Sequence, residues 1–202
     1  MSYVGYIPVV KAFIQQVIPQ ECPLSMLEVG VDRGTTLVPL VAHLARFRKA
    51  FTAVGLDIKV QEQVQLMLMN LDLQGDQKAY CVEGNSLDIL PKMVEQDMKF
   101  DVLLLDGDHN YHTVSKEMQL VEALTFPHSL VICDDYDGRW SERDLWYAER
   151  PDYEGVKLAT AAVVTEKHGV KPAIDEWLTA HPEWHASQPI PGEPIMLRRR
   201  AP

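Results

Sequence analysis

Cysteine is scarce in this sequence: Cys22, Cys81 and Cys133 are the only three. Their odd number and wide spacing fit neither a disulfide framework nor a zinc-binding pattern. Cys81 and Cys133 lie in or beside apolar runs, where a free thiol behaves as a small buried hydrophobe. Positive charge is also in short supply. Acidic residues outnumber basic ones 29 to 19, for a net charge of −10. That balance argues against a nucleic-acid partner, which needs a basic surface. The run Arg198-Arg199-Arg200 is the one local exception and reads as a solvated strand end. No apolar stretch approaches the roughly 18 residues of a membrane span. The N-terminus lacks the basic segment and apolar core of a signal peptide. The expected setting is a reducing cytoplasm, with no membrane partner.

What is present is an ordinary globular balance: 202 residues, 47% apolar and 24% charged, enough for a single domain over 1–202. Helical spacing of apolar residues marks 8–18, 35–47, 60–73, 86–96 and 112–124. Short apolar runs between them, 25–31, 51–58, 78–85, 100–107 and 129–136, read as strands. Strands that are nearly all apolar and alternate with helices describe a parallel sheet covered on both faces. The fold class is therefore α/β, doubly wound and Rossmann-like. The segment 138–155 is aromatic and charged without clear period, and reads as a long loop or lid. Beyond it, 156–167 and 172–180 look helical. A last antiparallel strand pair is expected at 183–188 and 193–199, joined through Pro189, Pro191 and Gly192.

Such sheets bind ligands beyond the carboxyl ends of their strands, so the polar residues there carry the functional signal. The first end, LEVGVDRGTT, holds Glu28, Gly30, Asp32, Arg33, Gly34, Thr35 and Thr36. Its glycines permit a sharp turn and a close approach to a ligand, and the helix start favours anionic groups. Structural turns use glycine as well, and the G-x-G-x-x-G dinucleotide pattern is absent. Asp57 ends the second strand, where a carboxylate can accept from ribose hydroxyls or complement a helix dipole. Asn85 and Ser86 end the third, fit to read an adenine edge or to cap a helix. The fourth and fifth ends, LLLDGDHNY and ICDDYDG, bring Asp106, Asp108, His109, Asp134 and Asp135. Neighbouring carboxylates repel unless a cation lies among them, so this group reads either as a divalent metal site or as solvated caps.

These segments together resemble the class I S-adenosylmethionine-dependent methyltransferases over residues 25–136. FDVLLLDGDHNYHTVSKEM followed by LVICDDYDG is more specific. It resembles the metal-dependent O-methyltransferases of the caffeoyl-CoA and catechol type and of the macrocin and novobiocin type. The segment GVKPAIDEWLTAHPEW resembles the late helix and strand of the sugar-modifying branch. The resemblance implies S-adenosylmethionine held by Glu28, the 30–36 turn, Asp57, Asn85, Ser86 and Asp106. It implies a divalent metal, Mg2+ first among candidates, on Asp106, Asp134 and Asp135. It places Asp108 where that branch has its general base. His109 has the better-suited unperturbed pKa for the same task, so both stay candidates.

The expected activity is metal-assisted O-methylation of a small hydroxylated molecule such as a sugar or phenol. Two readings compete: an NAD-type Rossmann oxidoreductase, and a non-catalytic nucleoside-binding protein of the same fold. Asp32 stands where many relatives have a second glycine, so the turn is expected to differ in detail. The first strand begins by residue 25. The acceptor pocket is therefore expected to be open, walled by 138–155, or completed by another subunit. Trp140, Trp146 and Tyr147 fit a pocket wall or a contact with a second copy, which leaves a homo-oligomer open.

Overall fold

The computed structural model describes residues 6–188 and 194–200. Helix α1 (Tyr6–Val17) precedes strand β1 (Leu24–Val29). Then follow α2 (Leu37–Phe47), β2 (Ala50–Asp57), α3 (Glu62–Met69), β3 (Asp76–Glu83), α4 (Ser86–Glu95), β4 (Phe100–Leu105), α5 (Tyr111–Met118) and β5 (Thr125–Cys133). After a long connection, α6 (Val170–Ala180) leads to β6 (Trp184–Ser187) and β7 (Ile195–Arg199). The described strands form one seven-stranded sheet in the order β3-β2-β1-β4-β5-β7-β6. Strands β1 to β5 pair in parallel, and β7 runs antiparallel to both β5 and β6. The doubly wound class and its terminal antiparallel pair are thus present. The expected link through Pro189, Pro191 and Gly192 lies outside the described residues.

Successive strand residues face opposite sides of a sheet, and here both sides are covered. Leu24 and Met26 pack with Phe13, Leu40 and Val64 from α1, α2 and α3. Leu27 and Val29 pack with Leu90, Val114 and Ile174 from α4, α5 and α6. Each fully buried aliphatic side chain contributes about 1.5–3 kcal/mol, which is why the run Val102 to Leu105 of β4 is buried throughout. A buried arginine ties α1 to this layer. Arg48 Nη2 donates to the carbonyls of Ile14 at 2.9 Å and Ile18 at 2.7 Å, at and just beyond the end of α1, where backbone carbonyls look for partners outside the helix.

Three expectations differ from the structure. β3 alternates between exposed and partly covered residues, with Tyr80 exposed, because among the described residues it is an edge strand paired only with β2. Segment 156–167 forms turns and irregular chain, not a helix. Val163 and Val164 are exposed there, so the apolar spacing has no face to bury, and the β-branched run Val163-Val164-Thr165 is a weak helix former. The helix expected over 112–124 stops at Met118, and β5 begins earlier than 129, at Thr125. The strand order reverses between β1 and β4. A crevice at their carboxyl ends is the place where such sheets take ligands.

Candidate active site

The chain leaves β1 through Gly30, whose φ is +85°; a Cβ there would lie 2.0 Å from the Asp106 carbonyl oxygen. Only glycine lets the ends of β1 and β4 come this close. Asp32 also has a positive φ, 44°, a conformation that Asp tolerates better than most residues. The turn therefore keeps its left-handed step without a second glycine. It is braced from β2. Asp57 Oδ2 accepts from the amides of Val31 at 2.8 Å and Asp32 at 2.9 Å, and Oδ1 accepts from Lys59 N at 2.9 Å. Burial pushes the Asp57 carboxyl above its ordinary pKa, and these amides oppose the shift. Asp32 Oδ1 in turn accepts from Gln61 Nε2 at 2.9 Å.

One cavity of about 710 Å³ opens over this turn, within the roughly 300–1,000 Å³ range of small-molecule sites. Gly30, Asp32, Arg33, Asp57, Asn85 and Ser86 line it from the first three strand ends. Asp106, Asp108, His109, Asp134 and Asp135 line it from the fourth and fifth. The remaining sequence candidates lie elsewhere. Gly34 is a packing glycine: a Cβ there would press on Val38 and Val64 at 3.0 and 3.1 Å. Thr35 is exposed and Thr36 is buried, and neither reaches the cavity. Glu28 is buried beneath the turn, with Oε2 unpartnered among the described residues. Burial, and then the Asp57 charge, push its carboxyl well above the usual range, against a hydrogen bond from the Leu37 amide.

Asn85 caps α4, its Oδ1 accepting from Leu87 N at 2.8 Å. Its amide group also reaches across the cavity, donating to Leu158 O at 2.8 Å and Thr160 Oγ1 at 3.0 Å. Capping and a place on the cavity wall therefore coexist at one residue.

At the acidic rim, Asp106, His109 and Asp134 each present a ligand atom, all within 4.8 Å of one another. Asp134 is 7% exposed, and its Oδ1 has no hydrogen-bond partner among the described residues. Asp135 is turned differently. Its φ is +54°, its carboxylate accepts from the amides of Arg139 and Trp140, and its Oδ2 lies 3.5 Å from His109 Nδ1. Burial foremost raises its pKa, with His109 opposing. Asp108 Oδ2 accepts from Thr113 Oγ1 at 3.0 Å, and side-chain bonds from Thr160 and Asn110 add to it. Burial nevertheless raises its pKa.

The 138–155 segment walls the cavity through Arg139, Trp140, Leu145, Tyr147, Arg150 and Tyr153. Asp144 anchors it: Oδ1 accepts from Tyr111 N at 2.9 Å and Gly169 N at 2.8 Å, and Oδ2 meets His168 Nδ1 at 2.7 Å. A long connection holds its shape when its backbone groups find such partners. Trp140 and Tyr147 therefore belong to the cavity, whereas Trp146 is buried. Burial pushes the Tyr147 hydroxyl pKa upward, and the charges of Tyr153, Asp106 and Asp108 add to this. Tyr153 and Thr160 are cavity residues that the sequence does not single out. Tyr153 sits in an aperiodic stretch, and Thr160 sits where a helix is expected.

Residues 27–136 match the sequence profile of a family described as a methyltransferase domain. No curated protein matches the sequence. Solved structures share the fold at low identity. CalS11, a TDP-rhamnose 3'-O-methyltransferase of calicheamicin biosynthesis, is 14% identical with a TM-score of 0.58, over 96% of this chain and 79% of that one. PaMTH1 of Podospora anserina, solved with SAH, is 14% identical with a TM-score of 0.60, over 100% of this chain and 80% of its own. MycE of the mycinamycin pathway, solved with Mg, SAH and mycinamycin VI, is 13% identical with a TM-score of 0.57; the match covers 99% of this chain and 51% of MycE. The profile match covers more than half of the chain and ends just past β5. By that match and by its sheet order, the chain belongs to the methyltransferase-domain family and is a class I S-adenosylmethionine-dependent methyltransferase.

Proposed function

We propose that the protein methylates a hydroxyl oxygen of a small acceptor, with a divalent metal assisting and Mg2+ as the simplest occupant. One observation carries this reading: the braced glycine turn and the cluster of Asp106, His109 and Asp134 line the same cavity. The donors suit both bound groups. A carboxylate has about four acceptor sites. Asp57 spends three on backbone amides, which leaves it one for a ribose hydroxyl. Asn85 and Ser86 stand at the start of α4, on the adenine side. The buried, unpartnered Asp134 Oδ1 suits a hard cation.

S-adenosylmethionine would supply an electrophilic methyl on its sulfonium, and a dication beside Asp106 would lower the pKa of an acceptor hydroxyl. The chain's own work is positioning and proton removal. Asp108 takes the hydroxyl proton. Its burial raises its basicity, and Thr113, Thr160 and Asn110 hold its orientation. His109 is the second candidate for that proton. The 138–155 wall narrows the acceptor side, and the natural-product acceptors named for CalS11 and MycE support a small molecule. The net charge of −10 speaks against nucleic acid. No helix among the described residues is long and apolar enough to cross a membrane, and a cytoplasmic setting completes the proposal.

Calorimetry with S-adenosylmethionine and NAD side by side tests the cofactor: binding of the first alone is expected. Turnover on a panel of sugars and phenols should stop after exhaustive chelation and return with Mg2+. Activity that survives chelation would remove the metal from the mechanism.

A further inference from the structure

We infer that His109 is itself a ligand of the metal, completing a set with Asp106 and Asp134, while Asp135 supports the imidazole from behind; this rests on the metal-assisted reading above. The three ligand atoms that converge within 4.8 Å come from Asp106, His109 and Asp134. His109 Nε2 lies 3.8 Å from Asp106 Oδ1, so that nitrogen faces the cluster. The other, Nδ1, lies 3.5 Å from Asp135 Oδ2. A metal-bound histidine commonly turns its second nitrogen toward a carboxylate, which fixes the tautomer and the ring plane. A closure of a few tenths of an ångström would make this contact a hydrogen bond. The proton then sits on Nδ1 and the Nε2 lone pair points at the cluster, so a ligating His109 has no nitrogen left to act as base and the acceptor's proton falls to Asp108.

Asp135 is committed elsewhere. Its carboxylate accepts from the amides of Arg139 and Trp140, and Gly138 lies against its Oδ1 so closely that a Cβ there would come within 2.0 Å. His109 is held where it is. Its ring is buried, and its carbonyl accepts from Leu145 N at 3.0 Å. The pair Asp134-Asp135 thus divides into a ligand and a supporting residue, unlike the two-ligand pair that the resemblance implies. An imidazole among the donors moves the preference from Mg2+ toward first-row transition dications such as Fe2+ or Co2+.

Affinity order alone cannot test this, since all-oxygen sites also favour later metals. The discriminating probe is Mn2+ bound to the full chain, read by electron spin-echo modulation from directly coordinated 14N. Wild type should show the 14N signal. His109→Gln should lose it, and Asp135→Asn should keep it with Mn2+ affinity weakened by about 10–100-fold at most. Bound Mn2+ with no 14N signal in wild type overturns the inference and leaves the metal reading standing. A signal that persists in His109→Gln, or disappears in Asp135→Asn while Mn2+ stays bound, also overturns it. Failure of wild type to bind Mn2+, Co2+ or Mg2+ overturns both.

Discussion

Gly30→Ala should be among the most damaging single-methyl changes in this protein. The new Cβ would meet the Asp106 carbonyl oxygen at 2.0 Å, its carbon at 2.4 Å and Gly107 Cα at 2.7 Å, all backbone atoms. No side-chain rotation relieves such a contact. To reach ordinary separation, β1 and β4 must part by more than 1 Å at their carboxyl ends, against the parallel register from Met26↔Val102 to Val29↔Leu105. Overpacking of a well-packed core costs about 1–3 kcal/mol. A left-handed alanine adds about 1–2 kcal/mol. The sum is about 2–5 kcal/mol, or on the order of 10 °C in Tm for a chain of this size. Gly75→Ala is the matched control, since φ there is +57° but no atom of the described residues lies within 4 Å of the added methyl. It should cost only the backbone part, about 1–2 kcal/mol. Urea titrations and thermal melts of the two variants compare them directly. Equal destabilisation, within about 0.5 kcal/mol, would refute the close approach of the two strand ends and the turn geometry built on it.

Asp57→Ala removes the acceptor of three loop amides together with the ribose contact proposed above, so S-adenosylmethionine affinity should fall by at least about 10-fold, with charge-assisted bonds worth about 1.5–3 kcal/mol each; unchanged calorimetric binding would remove Asp57 from the proposed cofactor site. Glu117 is buried under Ser86, and burial pushes its carboxyl up to about 8. An unfolded Glu ionises near 4.3, so from about pH 4.3 to 8 the folded form holds a proton that the unfolded form has released, and stability falls as pH rises. Glu117→Gln lacks this dependence, so its stability advantage over wild type should widen from pH 5 to pH 8 in urea titrations; a constant gap would place the Glu117 pKa outside that window.

The order of strands and helices was legible because burial on both faces leaves consecutive apolar residues, as in LLL of β4. Glycine and acid at each strand end were legible for a related reason: a parallel sheet sends all its carboxyl ends to one rim. That is why Gly30, Asp57, Asn85, Asp106 and Asp134 share a cavity although they span more than a hundred positions of chain. The edge position of β3 and the irregular path of 156–167 were not legible. Whether an apolar pattern is buried depends on which element arrives to cover it.

The amino-acid order determined the architecture and the rim at which the chemistry gathers, because burial of apolar side chains is local, repetitive and readable along the chain. Tertiary structure alone decided which polar groups meet. Asp134 and Asp135 are adjacent and chemically identical, yet a positive φ and two loop amides set Asp135 beside His109 Nδ1, whereas Asp134 joins Asp106 and His109 in one cluster. Such choices depend on backbone dihedrals and on hydrogen bonds from distant segments, and no short window of residues encodes them.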